Sequence, residues 1–113
     1  MRKSDKKIDN KLRVALTEIC EIALERFNGF EWLTHDTNYK NFPASLRIIC
    51  VFDTNANLDL FLASKARHEF SCLLQKKLFE IDVNLISMAK HLSYDSEQNC
   101  KHSHNGNWAM RLA

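Results

Sequence analysis

The chain has 113 residues, 45% of them hydrophobic, with two glycines, one proline, four cysteines and a formal net charge of +2. That length fits one domain, residues 1–113, with a core large enough to stand without disulfides or a structural metal. The hydrophobic share and small net charge disfavour an intrinsically disordered chain.

No apolar run approaches the roughly 18 residues a membrane span needs. Cys20, Cys50, Cys72 and Cys100 lie far apart and form no CxxC. Without an amino-terminal apolar h-region, reduced thiols in a cytoplasmic protein are the expectation. Cys50 sits in an apolar run and reads as a small core hydrophobe. The charge is unevenly spread: residues 1–13 hold six basic and two acidic side chains, whereas the other hundred hold ten basic and twelve acidic. The whole positive excess therefore belongs to a basic amino-terminal arm.

In chain order, Ile8, Leu12, Ala15, Leu16, Ile19, Ala23 and Phe27 recur at helical spacing and predict an amphipathic helix from about Ser4 to Phe27. Ser4 or Asp5 is the expected cap, and Asn28-Gly29 the left-handed stop. Lys3, Lys7 and Lys11 precede Glu18, Glu21 and Glu25 on its outer face. That order opposes the helix dipole, so local helix stability does not account for it.

A first strand is predicted at Phe30–His35 and a second at Ser45–Phe52, joined by the turn-rich DTNYKNFP of Asp36–Pro43. So short a connection makes them antiparallel neighbours. Leu46, Ile48, Ile49, Cys50, Val51 and Phe52 form a near-continuous apolar run, the mark of a strand covered on both faces. Arg47 interrupts that run and must reach the sheet edge or pair with an acid, since an unpaired buried charge is too costly. Asn57 is the expected cap of a long helix reaching about Glu80, through Leu58, Phe61, Leu62, Ala66, Phe70, Leu73, Leu74 and Leu78. A third strand is predicted at Leu85–Leu92, with Ser93–Glu97 read as a strand end followed by the start of a short helix capped by Asp95 or Ser96, and a tail whose Trp108 folds back onto the body. The order α-β-β-α-β-α predicts an α+β domain: about three strands covered by two main helices.

Three constellations carry possible chemistry. Lys3, Lys6, Lys7, Lys11 and Arg13 are nucleic-acid-binding candidates, because lysine and arginine neutralise phosphates; Trp32, Tyr39 and Lys40 are aromatic and basic neighbours, although Trp32 reads as a core residue. Asp36, Asp53, Asp95 and Glu97 at strand ends are catalytic candidates for a metal-dependent hydrolase or nuclease, since converging carboxylates hold magnesium and activate water. Capping and turn formation explain each of those acids as well. Cys100, His102 and His104 are metal candidates, but alternate residues converge on one ion only in an extended segment, with a fourth ligand from His35, His68 or His91. Cys72 and His68 stand four apart on the long helix, where packing explains the thiol. No Walker loop, HExxH or nucleophile elbow is present.

The opening MRKSDKKIDNKLRVALTEICEIAL, with GFEWLTH, NFPASLRIICVFDT and SYDSEQ, resembles a family of short bacterial proteins often labelled Fis-family transcriptional regulators. That label implies a DNA-binding regulator with a carboxy-terminal helix-turn-helix. Ser96–Ala113 supply no periodic recognition helix onto which recognition residues carry over. The sequence therefore leads to a non-enzymatic binding module with no cofactor and nucleic acid, RNA or DNA, as the first expected partner. A metal-dependent hydrolase and a protein-interaction or dimerisation module are the alternatives.

Overall fold

The computed structural model describes residues 2–113. Helix α1, Lys3–Arg26, buries Leu12, Ala15, Leu16, Ile19 and Ala23, the predicted stripe. Neither Ser4 nor Asp5 caps it: both lie inside the first turn, where Asp5 pairs with Arg2 at 3.4 Å. The helix ends at Arg26, one residue short of the expected end, with Phe27 extended, so the left-handed residue Gly29 serves the turn into the first strand rather than the helix stop. Gly29 has φ +84°, and a Cβ there would sit 2.6 Å from both Asn57 Cβ and Asp53 Oδ1, so glycine is required by backbone angle and by space.

Strand β1, Phe30–Asp36, runs antiparallel to β2, Arg47–Phe52, with Leu33 opposite Cys50 and Asp36 opposite Arg47. Arg47 opens β2 at its exposed amino end, its guanidinium 3.7 Å from Asp36 and donating to Leu112 O. The anomaly in the apolar run thus resolves as a strand-end residue with an acid partner.

Every residue from Ile48 to Phe52 is buried, as expected of a centre strand covered on both faces. Ile48, Cys50 and Phe52 join the main core with Leu12, Leu16, Ile19, Phe70 and Leu74. Ile49 and Val51 alternate to the other face. Trp32, opposite Val51, meets Trp108 there edge-on at 4.9 Å, so the carboxy-terminal tail closes that side.

Two expectations need correction. The long helix is two helices, α2 (Asn55–Ala63) and α3 (Ala66–Glu80). Ser64 breaks it: its hydroxyl donates to Phe61 O and accepts from Ala66 N, closing one helix and opening the next. Phe61 of α2 and Phe70 of α3 both pack edge-on against Phe27, just past the end of α1, which gathers the two helices at that point. The cap of α2 is Thr54, accepting from Asn57 N; the Asn57 amide instead donates to Asp53.

The third strand is also displaced: β3 is Leu92–Ser96. Leu85–His91 is a loop with one 3-10 turn, Met88–Lys90, and its Leu85 and Met88 plug the core without a ladder. Strand β3 lies parallel to β2, so α2 and α3 form the crossover that parallel pairing demands. The sheet order is β1-β2-β3. Helix α4, Glu97–His104, is capped by Ser96 as predicted, and α5, Trp108–Arg111, is a single turn. The domain is α+β, in the predicted element order. No helix among the described residues is long and apolar enough to cross a membrane.

Candidate functional site

The basic arm is helical from Lys3 onward, and Lys3, Lys6, Lys7, Lys11 and Arg13 are all exposed on the first turns of α1. At 100° per residue, Lys3 and Lys7 point away from Leu12 and the core, with Lys6 and Lys11 on either flank. The ion pairs of this stretch are Arg2–Asp5 and Arg13–Asp9. Among the described residues, Lys3, Lys6, Lys7 and Lys11 have no acid within 4.0 Å. Four ammonium groups thus share one surface without internal neutralisation.

Arg13 is held differently. Its Nε lies 2.8 Å from Asp9 Oδ2, and the same carboxylate accepts from the Tyr39 hydroxyl at 2.5 Å and meets His35 Nε2 at 3.3 Å. These residues, with Thr34, Asp36 and Thr37, line an open cleft of about 470 Å³ between α1 and β1. The Tyr39 hydrogen bond pulls Asp9 below the usual carboxylate range against the opposing effect of burial, with His35 and Arg13 assisting. Burial and the Asp9 charge together push the Tyr39 hydroxyl far up. Asp9 is therefore a fixed anion, unsuited to accept a proton near neutrality. What it does is aim Arg13, whose side chain stays 72% exposed and whose terminal nitrogens have no protein partner among the described residues.

Sequence reasoning named Arg13 but not this cluster. The i, i+4 spacing of Asp9 and Arg13 is a readable signal. The contributions of His35 and Tyr39, 26 and 30 residues away from Asp9, come only from the β1 edge folding against α1.

The four strand-end acids do not assemble into one centre. Asp36 pairs with Arg47 at the start of β2, the end opposite to Asp53. Asp53 accepts from Thr54 N and Asn57 Nδ2, bonds that hold its carboxyl below its usual range. Arg111 grips Asp95 through two nitrogens at 2.5 and 3.0 Å, and Glu97 accepts from the indoles of Trp32 at 2.6 Å and Trp108 at 3.2 Å. Each carboxylate is committed to a structural donor.

The metal candidates fare no better geometrically. Cys100, His102 and His104 lie on α4 rather than in the extended segment their convergence requires. Cys100 is buried, His102 is exposed, and His104 Nδ1 is 3.3 Å from Arg111. Among the described residues, no group of three His, Cys, Asp or Glu side chains is placed to hold a metal ion. Cys72 lies exposed, its Sγ 3.4 Å from His68 Nε2, so the thiol is not packed as the sequence suggested.

The carboxyl ends of β2 and β3, the sheet edge where α/β folds tend to place ligands, are filled by side chains. Ser96 donates to Asn55 Oδ1 at 2.5 Å, Asn55 donates to Asn99, and Asn55 N donates to Gln98. These bonds clamp the start of α2 to the start of α4. The amino half of α1 therefore stands out as the exposed, charge-uncompensated surface of an α+β domain. No family model, curated protein or solved structure matches this chain.

Proposed function

We propose that this domain binds the phosphate backbone of nucleic acid through Lys3, Lys6, Lys7, Lys11 and Arg13, without catalysing a reaction. The observation that carries the reading is the set of four exposed lysines with no acid partner beside an arginine oriented by Asp9. Lysines give charge without geometry, whereas a guanidinium paired with a neighbouring carboxylate still carries a fork of donors suited to phosphate oxygens. Such contacts position a protein on a backbone without reading its sequence.

The resemblance to Fis-labelled proteins points to the same class of ligand, but α5 is one turn long and Trp108 and Arg111 face Glu97 and Asp95. Helix α4 before it is eight residues long and leads into that single turn, so binding is attributed to the α1 surface and is largely indifferent to base sequence. The test is fluorescence anisotropy of the full chain against structured RNA, single-stranded DNA and duplex DNA at about 50 and 200 mM salt. Salt-sensitive binding supports the reading and ranks the ligands. Absence of binding at the lower salt overturns it and leaves the lysines as a solvated face.

A further inference from the structure

Strand β3 ends the sheet on one side, and its outer edge is open. Ile48 stands opposite Leu92 in the parallel register, and Ile48 N donates to His91 O. In such a ladder, alternate residues turn both backbone groups to the neighbour, so His91, Ser93 and Asp95 serve β2. Leu92 and Tyr94 consequently direct their N–H and C=O outward, where no main-chain or side-chain partner meets them among the described residues.

A cleft of about 560 Å³ runs beside that edge, beneath the break between α2 and α3. Leu62, Leu92 and the Tyr94 ring supply its apolar surface, while Arg67 and His68 of α3 supply its polar rim. The Arg67 guanidinium carbon lies 5.8 Å from the centre of the Tyr94 ring, and Arg67 forms no ion pair among the described residues. Among the described residues, no acid lines the cleft.

We propose that this cleft takes an extended acidic peptide, which adds to the sheet as a fourth strand beside β3 and sets a carboxylate against Arg67. Main-chain pairing supplies affinity in strand addition, and the flanking side chains supply selectivity. An exposed edge with unpaired amides and an apolar wall calls for a polypeptide, because nucleic acid has no main-chain amides to pair with Leu92 and Tyr94. A second copy of this chain is disfavoured by charge. Two-fold pairing of β3 with β3 turns one Arg67–His68 surface toward the other, and like charges brought together oppose association. The site is separate from the lysine face of α1, so either proposal can fail alone.

The experiment titrates the full chain into three fluorescein-labelled hexapeptides and reads anisotropy. One alternates valine with glutamate, one alternates valine with lysine, and the third is the glutamate peptide with alternate main-chain amides N-methylated. The glutamate peptide should saturate, with the lysine and N-methylated peptides at least about tenfold weaker, a difference of about 1.4 kcal/mol. Arg67→Glu, on an exposed position, should weaken the glutamate peptide by a similar factor with the circular dichroism spectrum unchanged. Amide exchange at Leu92 and Tyr94 in the unmodified chain should slow when the glutamate peptide is bound, which tests the docking site independently of any variant. Absence of binding at about 1 mM peptide overturns the proposal. So does equal affinity for the N-methylated peptide, an Arg67→Glu variant that binds as well, or unchanged exchange at the two amides.

Discussion

Arg13 Nε lies 2.8 Å from Asp9 Oδ2, one helical turn away on α1, and Asp9 is itself fixed by Tyr39 and His35 from the β1 side. The pair links the basic face of α1 to the body of the domain, because Asp9's other partners come from β1 and from the 3-10 turn Tyr39–Asn41 that follows it. If orientation matters, Asp9→Asn should weaken nucleic-acid binding several-fold even though it removes a negative charge from a cationic surface. Anisotropy titration decides the matter, because simple charge counting predicts tighter binding from the same variant.

The same carboxylate has a pH signature. Asp9 titrates below its ordinary value in the folded chain, so the unfolded chain binds the proton first and stability rises with pH across that interval. The contribution is present above the ordinary carboxylate value, about 3.9, and is lost as pH falls through the lower folded value. Urea unfolding at pH 6 and at about pH 3 should therefore show a larger acid loss for the natural chain than for Asp9→Asn. Asp53 and Asp95 shift in the same direction, and the variant comparison isolates Asp9 from them.

Asp95 and Arg111 fasten the carboxy-terminal tail to β3. Burial raises the Asp95 carboxyl, but the Arg111 bonds outweigh it and leave the group below its usual range. Arg111→Met should cost about 2 kcal/mol, because it strands a half-buried carboxylate. Adding Asp95→Asn should recover part of that loss. Urea denaturation of the two variants checks both signs, and equal stability of single and double variants contradicts the pairing argument.

Glu97 bridges two indoles, Trp32 on β1 and Trp108 on α5, whose rings meet edge-on. Glu97→Ala leaves both N–H groups without that acceptor and should destabilise the domain by about 1–3 kcal/mol. Tryptophan emission should shift to the red as Trp108 loosens from the sheet. Unchanged emission places the closure of this face on packing alone.

Gly29→Ala should be the most damaging of the small substitutions, at about 2–4 kcal/mol, since a positive φ and a 2.6 Å approach to Asn57 and Asp53 act together. Thermal unfolding is the check, and a near-neutral result means that the turn relaxes freely.

What the sequence made legible follows periodicity. The α1 stripe and the continuous run of β2 are dictated by burial, and Ser96 caps α4 through a local bond. Strand β3 was hidden because LSYDS is polar: one face of Asp95 is satisfied by Arg111, sixteen residues later, and no pattern inside the strand reveals such a partner. The apolar Leu85 and Met88 drew the strand assignment to a loop that buries side chains without a ladder. Ser64 ended α2 with two hydrogen bonds in a stretch whose leucine spacing continues unbroken. At the candidate interface the cationic residues were plain from composition. The Asp9 cluster beside Arg13 was not, because two of its four members, His35 and Tyr39, reach Asp9 only after the β1 segment packs on α1.

The most direct measurement is the salt dependence of duplex-DNA affinity for the natural chain and for a variant with Lys3, Lys6, Lys7 and Lys11 all replaced by alanine. Alanine favours helix, so α1 should persist and circular dichroism should confirm it. Each phosphate contact contributes about 0.9 to the slope of log affinity against log salt. The phosphate-binding account predicts that the variant binds more weakly and that its slope is shallower by about three to four. Unchanged affinity and an unchanged slope would contradict it.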